Sequence, residues 1–140
     1  EYRTLGLSGL RISAVGLGCM GMSHAYGAPA DKCKITELLT DAVDMGNFFD
    51  TTEMYGTQDR SNGNEELLGK ALQSFRNQIV KLKIRHKFDG FGVAGNNVVI
   101  PDLQPSVIYS SVEGSLHRLR TDRIDLYYQH HIDPKVEPEK

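Results

Sequence analysis

Asp50, Tyr55, Lys87 and His130 are the residues whose types, taken together, suit acid catalysis. A phenol, with an ordinary pKa of about 10, gives up its proton reluctantly at neutral pH, and a neighbouring ammonium makes that easier by stabilising the phenolate. In such a scheme Tyr55 is the acid and Lys87 the cation beside it. Asp50 keeps the lysine charged and in place, while His130 orients a carbonyl oxygen or assists proton transfer. The anchoring stretch is NFFDTTEMYG, residues 47–56, where an apolar lead-in drives a short strand into Asp50 and a polar loop then brings Tyr55. Each residue also has a plainer reading: Asp50 as the cap of a turn, Tyr55 as a half-buried loop aromatic, Lys87 as a strand-end surface lysine, His130 as a hydrogen-bonded structural histidine.

The elements that would gather these groups follow from periodicity. Tyr2–Leu5 and Leu10–Ser13 read as a hairpin turned at Gly6-Leu7-Ser8-Gly9. Ala14–Met20 suits a buried strand. It carries the GxGxxG spacing of a dinucleotide fingerprint at Gly16, Gly18 and Gly21, but a polar loop follows where that motif needs a helix amino terminus, so a Rossmann reading is rejected. Asp31–Met45 is a helix with an apolar face of Ile35, Leu38, Leu39, Ala42 and Val43, ended by Gly46. Phe48–Thr51 is the second strand. Asn62 and Glu65 then have capping-box spacing ahead of a helix burying Leu67, Leu68, Ala71, Leu72 and Phe75. Ile79–Lys87 is the third strand, and Phe88–Leu103, rich in glycine and asparagine, shows the least structure. Pro105 opens a third helix with Val107, Ile108, Val112, Leu116 and Leu119 on its apolar face; Ile124–His130 is the fourth strand, and Asp133–Lys140 a charged tail.

Alternation of strand and helix implies a parallel sheet with right-handed crossovers, either an open doubly wound sheet or part of a barrel. In both, loops at the carboxyl ends of the strands carry the chemistry, so Asp50 and Tyr55, Lys87 and His130 would converge on one edge. The 140 residues suit a single domain: a hairpin over 1–13, β/α units over 14–130 and the tail over 133–140.

With 24% charged residues and a net charge of −2, the chain has no basic field to steer nucleic acid or an anionic membrane. Its apolar runs fall well short of the roughly 20 residues a membrane span needs. Cys19 and Cys33 lack paired spacing, and no basic-then-apolar leader opens the sequence, so a reduced, cytoplasmic protein is expected. His130-His131 could start a metal site, but no second cluster has ligand spacing, so no metal is expected. A lysine forming a Schiff base is the competing chemistry for Lys87.

The segments GLGCMGMSHAYGAP (16–29), FFDTTEMYG (48–56), NEELLGKAL (64–72), SSVEGSL (110–116) and TDRIDLYYQHHIDP (121–134) resemble the aldo-keto reductase family, in the family's order and over almost the whole chain. MGMSHAYG with LYYQH looks like its bacterial, plant and fungal branch. The resemblance implies a (β/α)8 TIM barrel preceded by a short hairpin, NADPH (NADP+) as cofactor and a small aldehyde or ketone as substrate. By position it makes Tyr55 the proton donor, Lys87 and Asp50 the groups that tune it, and His130 the one that helps place the substrate. It also puts Gly18, Met20, Gly21, Met22 and Asp50 at the cofactor, with Cys19 a small buried residue near the cofactor mouth.

Three features depart from the family pattern. Ile79–Lys87 is longer than the family's run to its lysine and holds Arg85-His86 where small residues are expected, which makes Lys83 a rival to Lys87 on the same strand face. Gly46-Asn47-Phe48 is one residue short. The third is length: a complete barrel takes roughly 250 residues, and this sequence covers about four β/α units, a truncated barrel without the second-half segments that grip most of the cofactor. Four parallel strands leave two open edges, so self-association is expected, as a twofold dimer that sets the fourth strand of each copy beside the first of the other.

Overall fold

The computed structural model describes residues 1–23, 31–46, 48–56, 63–75, 83–88, 91–94 and 98–137. The hairpin forms as expected: β1 (Tyr2–Leu5) pairs antiparallel with β2 (Leu10–Ser13), Tyr2 opposite Ser13. Its last residue reaches the main sheet, where Phe48 N–H donates to Ser13 Oγ at 2.8 Å.

Four parallel strands make that sheet, in the order β3 (Gly16–Gly18), β4 (Phe48–Thr52), β5 (Lys83–Phe88) and β8 (Leu126–Gln129). Successive strands along the chain are neighbours in space, and the arc is open, not a closed barrel. Helices α1 (Lys32–Asp44), α2 (Gly63–Ala71) and α3 (Pro105–Leu119) connect them. The glycine-rich fingerprint lies on β3 and a three-residue 3-10 helix, Met20–Met22, so no helix amino terminus meets it. Strand three of the sheet is described only from Lys83, its expected beginning at Ile79 lying outside the described residues.

Phe88–Leu103 corrects the sequence reading. It contains a second hairpin, β6 (Phe91–Ala94) against β7 (Val98–Pro101), with Phe91 opposite Pro101. The β-branched run Val98-Val99-Ile100 outweighs the surrounding glycine and asparagine. The charged tail is also partly built in: Asp133, only 4% exposed, accepts from Leu103 N–H at 3.3 Å and Lys135 N–H at 2.9 Å, pinning the chain after β8 to the entry of α3.

Helix α1 starts where Asp31 accepts from Cys33 N–H (2.9 Å) and Lys34 N–H (3.1 Å), an amino-terminal cap. Ile35, Leu39, Ala42 and Val43 are buried as expected, but Leu38 is 46% exposed, because the stripe facing the sheet is narrower than the apolar pattern. The helix stops at Gly46, whose φ of +75° suits glycine alone. A side chain there would also run into the Tyr2 hydroxyl, so Gly46 lets the hairpin close on the sheet. In α2 and the turn after it, Leu68 and Leu72 are fully buried, whereas Leu67, Ala71 and Phe75 are only partly so. Leu119 closes the core from α3, together with Phe49 of β4. Val107, Ile108, Val112 and Leu116 are half-buried.

Candidate active site

Strand β4 continues to Thr52, so Asp50 sits two residues before the strand end and not at it. Its carbonyl accepts from Cys19 N–H at 2.9 Å, which locks the exit of β3 to β4. A tight turn follows, with Tyr55 N–H donating to Thr52 O at 3.3 Å, and Tyr55 is buried at 8% exposure. The sequence therefore delivers the tyrosine as a packed side chain over the carboxyl end of β4, not as a loose loop residue.

The neighbouring strands arrive in register. Asp50 pairs with Arg85, Thr52 with Lys87, and Lys87 in turn with Tyr128. Because successive residues alternate across a pleat, positions 50, 52, 85, 87, 126 and 128 share one side of the sheet. The register separates the two rival lysines along β5. Lys83 pairs with Phe48 at the amino end of β4, while Lys87 lies at the carboxyl end with Thr52. His130 follows the last residue of β8 and is exposed, its ring 4.4 Å from that of His131 and tilted by 32°. Thus Tyr55, Lys87 and His130 lie at the carboxyl edge of the sheet, and Asp50 lies two residues inside it on β4.

At the expected cofactor positions, a Cβ on Gly18 or Gly21 would meet nothing within 4 Å among the described residues. That leaves bare backbone at the end of β3, which a flat ring can approach, and the half-buried Met20 lies between the two. Met22, by contrast, is 7% exposed and packs in the core with Cys19. Cys19 is fully buried, and its thiol is pushed up to about 12, mainly by burial, with the charge of Asp50 adding to it. Such a thiol stays protonated and acts as packing. Among the described residues no group of three or more His, Cys, Asp or Glu is placed to hold a metal ion, and no helix is long and apolar enough to cross a membrane.

Sequence reasoning missed two polar residues that shape this edge. Asn64 is completely buried. Its Nδ2 donates to Cys19 O and to Ser23 Oγ, each at 2.7 Å, and its Oδ1 accepts from Thr51 Oγ1 at 2.8 Å. Its backbone N–H donates to Tyr55 O at 2.9 Å. Beside it, Glu65 is also completely buried and forms an ion pair with Arg118 Nε. The capping-box reading of Asn62 with Glu65 falls on Asn62, which lies outside the described residues; the Glu65 carboxylate ties α2 to α3 through Arg118. Arg118 Nη2 lies 3.9 Å from Glu53 Oε2, and Ser111 Oγ donates to the same Glu53 oxygen, so α3 also holds the loop between Asp50 and Tyr55. The signal in the sequence was the pair Asn64-Glu65 on the inward side of an apolar helix face, where a surface helix would carry hydrophobic residues.

Residues 14–140 match the aldo/keto reductase family. The chain is 37% identical over 137 residues to a Glycine max protein named "Probable aldo-keto reductase 1", covering 94% of this chain and 36% of that protein. Among solved structures it is similar to the holo form of an aldo-keto reductase from Bacillus halodurans, with a TM-score of 0.76 and 30% identity over 99% of this chain and 42% of that one. It is also similar to a glycerol dehydrogenase from Gluconobacter oxydans, with a TM-score of 0.69 and 30% identity, covering 96% and 40%. The chain thus spans less than half the length of each of these relatives. The fold neighbours imply a (β/α)8 barrel, of which the four-stranded sheet here is an open part.

Proposed function

Because the chain belongs to the aldo/keto reductase family of oxidoreductases, we propose that it works in the NADPH-dependent reduction of an aldehyde or ketone to an alcohol, with Tyr55 as general acid. The observation that supports this reading most is the backbone register, which sets Lys87 opposite Thr52, two residues on from Asp50, with Tyr55 buried just past the end of the same strand. The bare backbone at Gly18 and Gly21, with Met20 between them, fits a nicotinamide approaching beside Asp50, while Met22 supports that wall from the core. When bound, the reduced nicotinamide supplies the hydride that goes to the carbonyl carbon. Tyr55 gives its proton to the carbonyl oxygen, the positive charge of Lys87 eases that transfer, and Asp50 holds the lysine. His130, exposed at the exit of β8, is placed to meet the substrate. A packed tyrosine keeps water from the acid, which strengthens each of these interactions.

The test is NADPH binding followed by nicotinamide fluorescence, then oxidation of NADPH with a panel of aldehydes and ketones. Replacing Tyr55 by Phe keeps the ring and removes the proton, and should lower carbonyl-dependent turnover by about 10²- to 10⁴-fold. Full activity in Tyr55→Phe would remove the tyrosine from the chemistry.

A second reading rests on the sheet edges. Among the described residues β3 and β8 end the parallel sheet with no further strand beside them. Such edges favour pairing with another copy, β8 of one beside β3 of the other, in a protein that acts by association and not by turnover. Light scattering that gives a monomer mass at micromolar concentration would end this second reading.

A further inference from the structure

Asn64 is the residue that joins the two parts of the candidate site. Its side chain and backbone make four hydrogen bonds, three of which go to Tyr55 itself or to a residue that adjoins or supports Asp50. Thr51 follows Asp50 directly, and Cys19 is the residue whose N–H holds the Asp50 carbonyl. Ser23 ends the 3-10 turn that carries Met20 and Met22. The fourth bond, from Asn64 N–H, holds the Tyr55 carbonyl. Both amide protons and the amide oxygen are engaged, and the residue is sealed from water, so the group has no other partner to turn to. An apolar residue of similar size would leave Cys19 O and Thr51 Oγ1 without the partner that Asn64 gives them. A buried amide with this bonding pattern gives geometry: it sets α2, β3 and β4 at fixed separations around one point.

We propose that Asn64 is a positioning residue of the site, fixing the strand end that carries Asp50 against the loop that carries Tyr55. The catalytic part of this inference rests on the reading given under Proposed function. The acid and its charged neighbours must sit within hydrogen-bond reach in the reacting complex, and displacement by about 1 Å can cost on the order of 10²-fold in rate. Asn64 therefore acts through Tyr55 and Asp50 without touching substrate.

Two variants and two measurements test it. Asn64→Ala removes three side-chain bonds, and Thr51→Val removes one at constant shape. For both, kcat should fall by about 10- to 100-fold while KM for the carbonyl stays within about twofold, because binding groups remain and alignment is lost. Thr51→Ser, which restores the hydroxyl, should recover most of the activity lost in Thr51→Val. Hydrogen exchange followed by mass spectrometry supplies a readout that needs no turnover. In Asn64→Ala, exchange should rise in the segment spanning residues 51–65, with α1 protected as in the wild type. Exchange unchanged in that segment, a rise spread equally over α1, or a variant with normal kcat would each overturn the proposal. If Asn64→Ala fails to fold, Thr51→Val decides, through the same exchange pattern and the same kcat and KM comparison. Wild-type protein with no carbonyl reduction would overturn the proposed function instead, and the local or global exchange pattern would still decide whether Asn64 is the clamp.

Discussion

The carboxyl ends of β4 and β8 lie on the same edge of one parallel sheet, yet they are finished in opposite ways. After β4 the chain is tied on every side: Asp50 O to Cys19, Tyr55 O to Asn64, Glu53 to Arg118 and Ser111. After β8, Gln129, His130 and His131 are exposed, with Gln129 Nε2 donating to His131 O at 2.5 Å. The first region has buried polar partners drawn from α2, α3 and β3; the second has a ring contact between adjacent histidines and meets a buried anchor only at Asp133, four residues past the end of β8. The difference teaches where rigidity resides. Local opening is hardest where buried bonds link several elements and easiest where side chains face water. On the proposed function, the acid is held in a preset position and the histidine adjusts to what it meets.

This contrast can be broken most forcefully at Arg118. Arg118→Met leaves the carboxylate of Glu65 buried without its ion-pair partner. Stability to urea should drop by about 3 kcal/mol, the usual scale when one half of a buried pair is removed. A loss under 1 kcal/mol would mean that the β4 side is no more firmly held than the β8 side. Gly69→Ala attacks the same region through the backbone. Its Cβ would come within 2.8–2.9 Å of Leu119 backbone atoms, so α2 and α3 would have to separate. Thermal unfolding should show a loss of about 1–3 kcal/mol, and an unchanged Tm would show that the two helices can slide apart freely.

Cysteine chemistry sharpens the contrast without any mutation. Iodoacetamide at pH 8 should label exposed Cys33 and spare Cys19, whose thiol lies at about 12. Ionisation of Cys19 is harder in the folded state than for a solvated thiol, which titrates near 9.0. Its contribution to stability is thus complete below about pH 9 and is lost as pH rises from there towards 12. Labelling of both cysteines at equal rates would show the β3–β4 junction to be open. The smallest effect is expected at the other end: His130→Ala should change stability by no more than about 0.5 kcal/mol, as exposed substitutions do. A loss of 2 kcal/mol or so would place His130 in a structural role.

Much of this architecture was legible in the chain. The hairpin, helix α1, the Pro105 start of α3 and the succession of strands and helices along the chain follow from local patterns of turn residues and apolar spacing, while the spatial order of the strands came from the structure. The misreadings have particular causes. Leu38 fits the apolar stripe of α1, but nothing in its sequence neighbourhood says that the sheet beneath is too narrow to cover it. Glycines and asparagines between residues 88 and 103 read as irregular, although Val98-Val99-Ile100 was a strand signal in itself. Asp133 read as part of a solvated charge run because its partner, Leu103 N–H, is 30 residues away.

What the sequence determined by itself is which groups are available for chemistry and which segments become strands and helices, since those depend on residue type and on neighbours a few positions away. It also determined that Asp50 and Tyr55 travel together, because five residues separate them. Only the tertiary structure decided that Asp50 lies opposite Arg85, with Lys83 opposite Phe48 and Lys87 opposite Thr52 at the carboxyl end, because strand register is a property of two strands at once. It alone decided that Asn64 and Glu65 face inward, since their partners lie 13, 45 and 53 residues away in Thr51, Cys19 and Arg118. A buried polar side chain is stable only when such partners are in place, and no local pattern announces them.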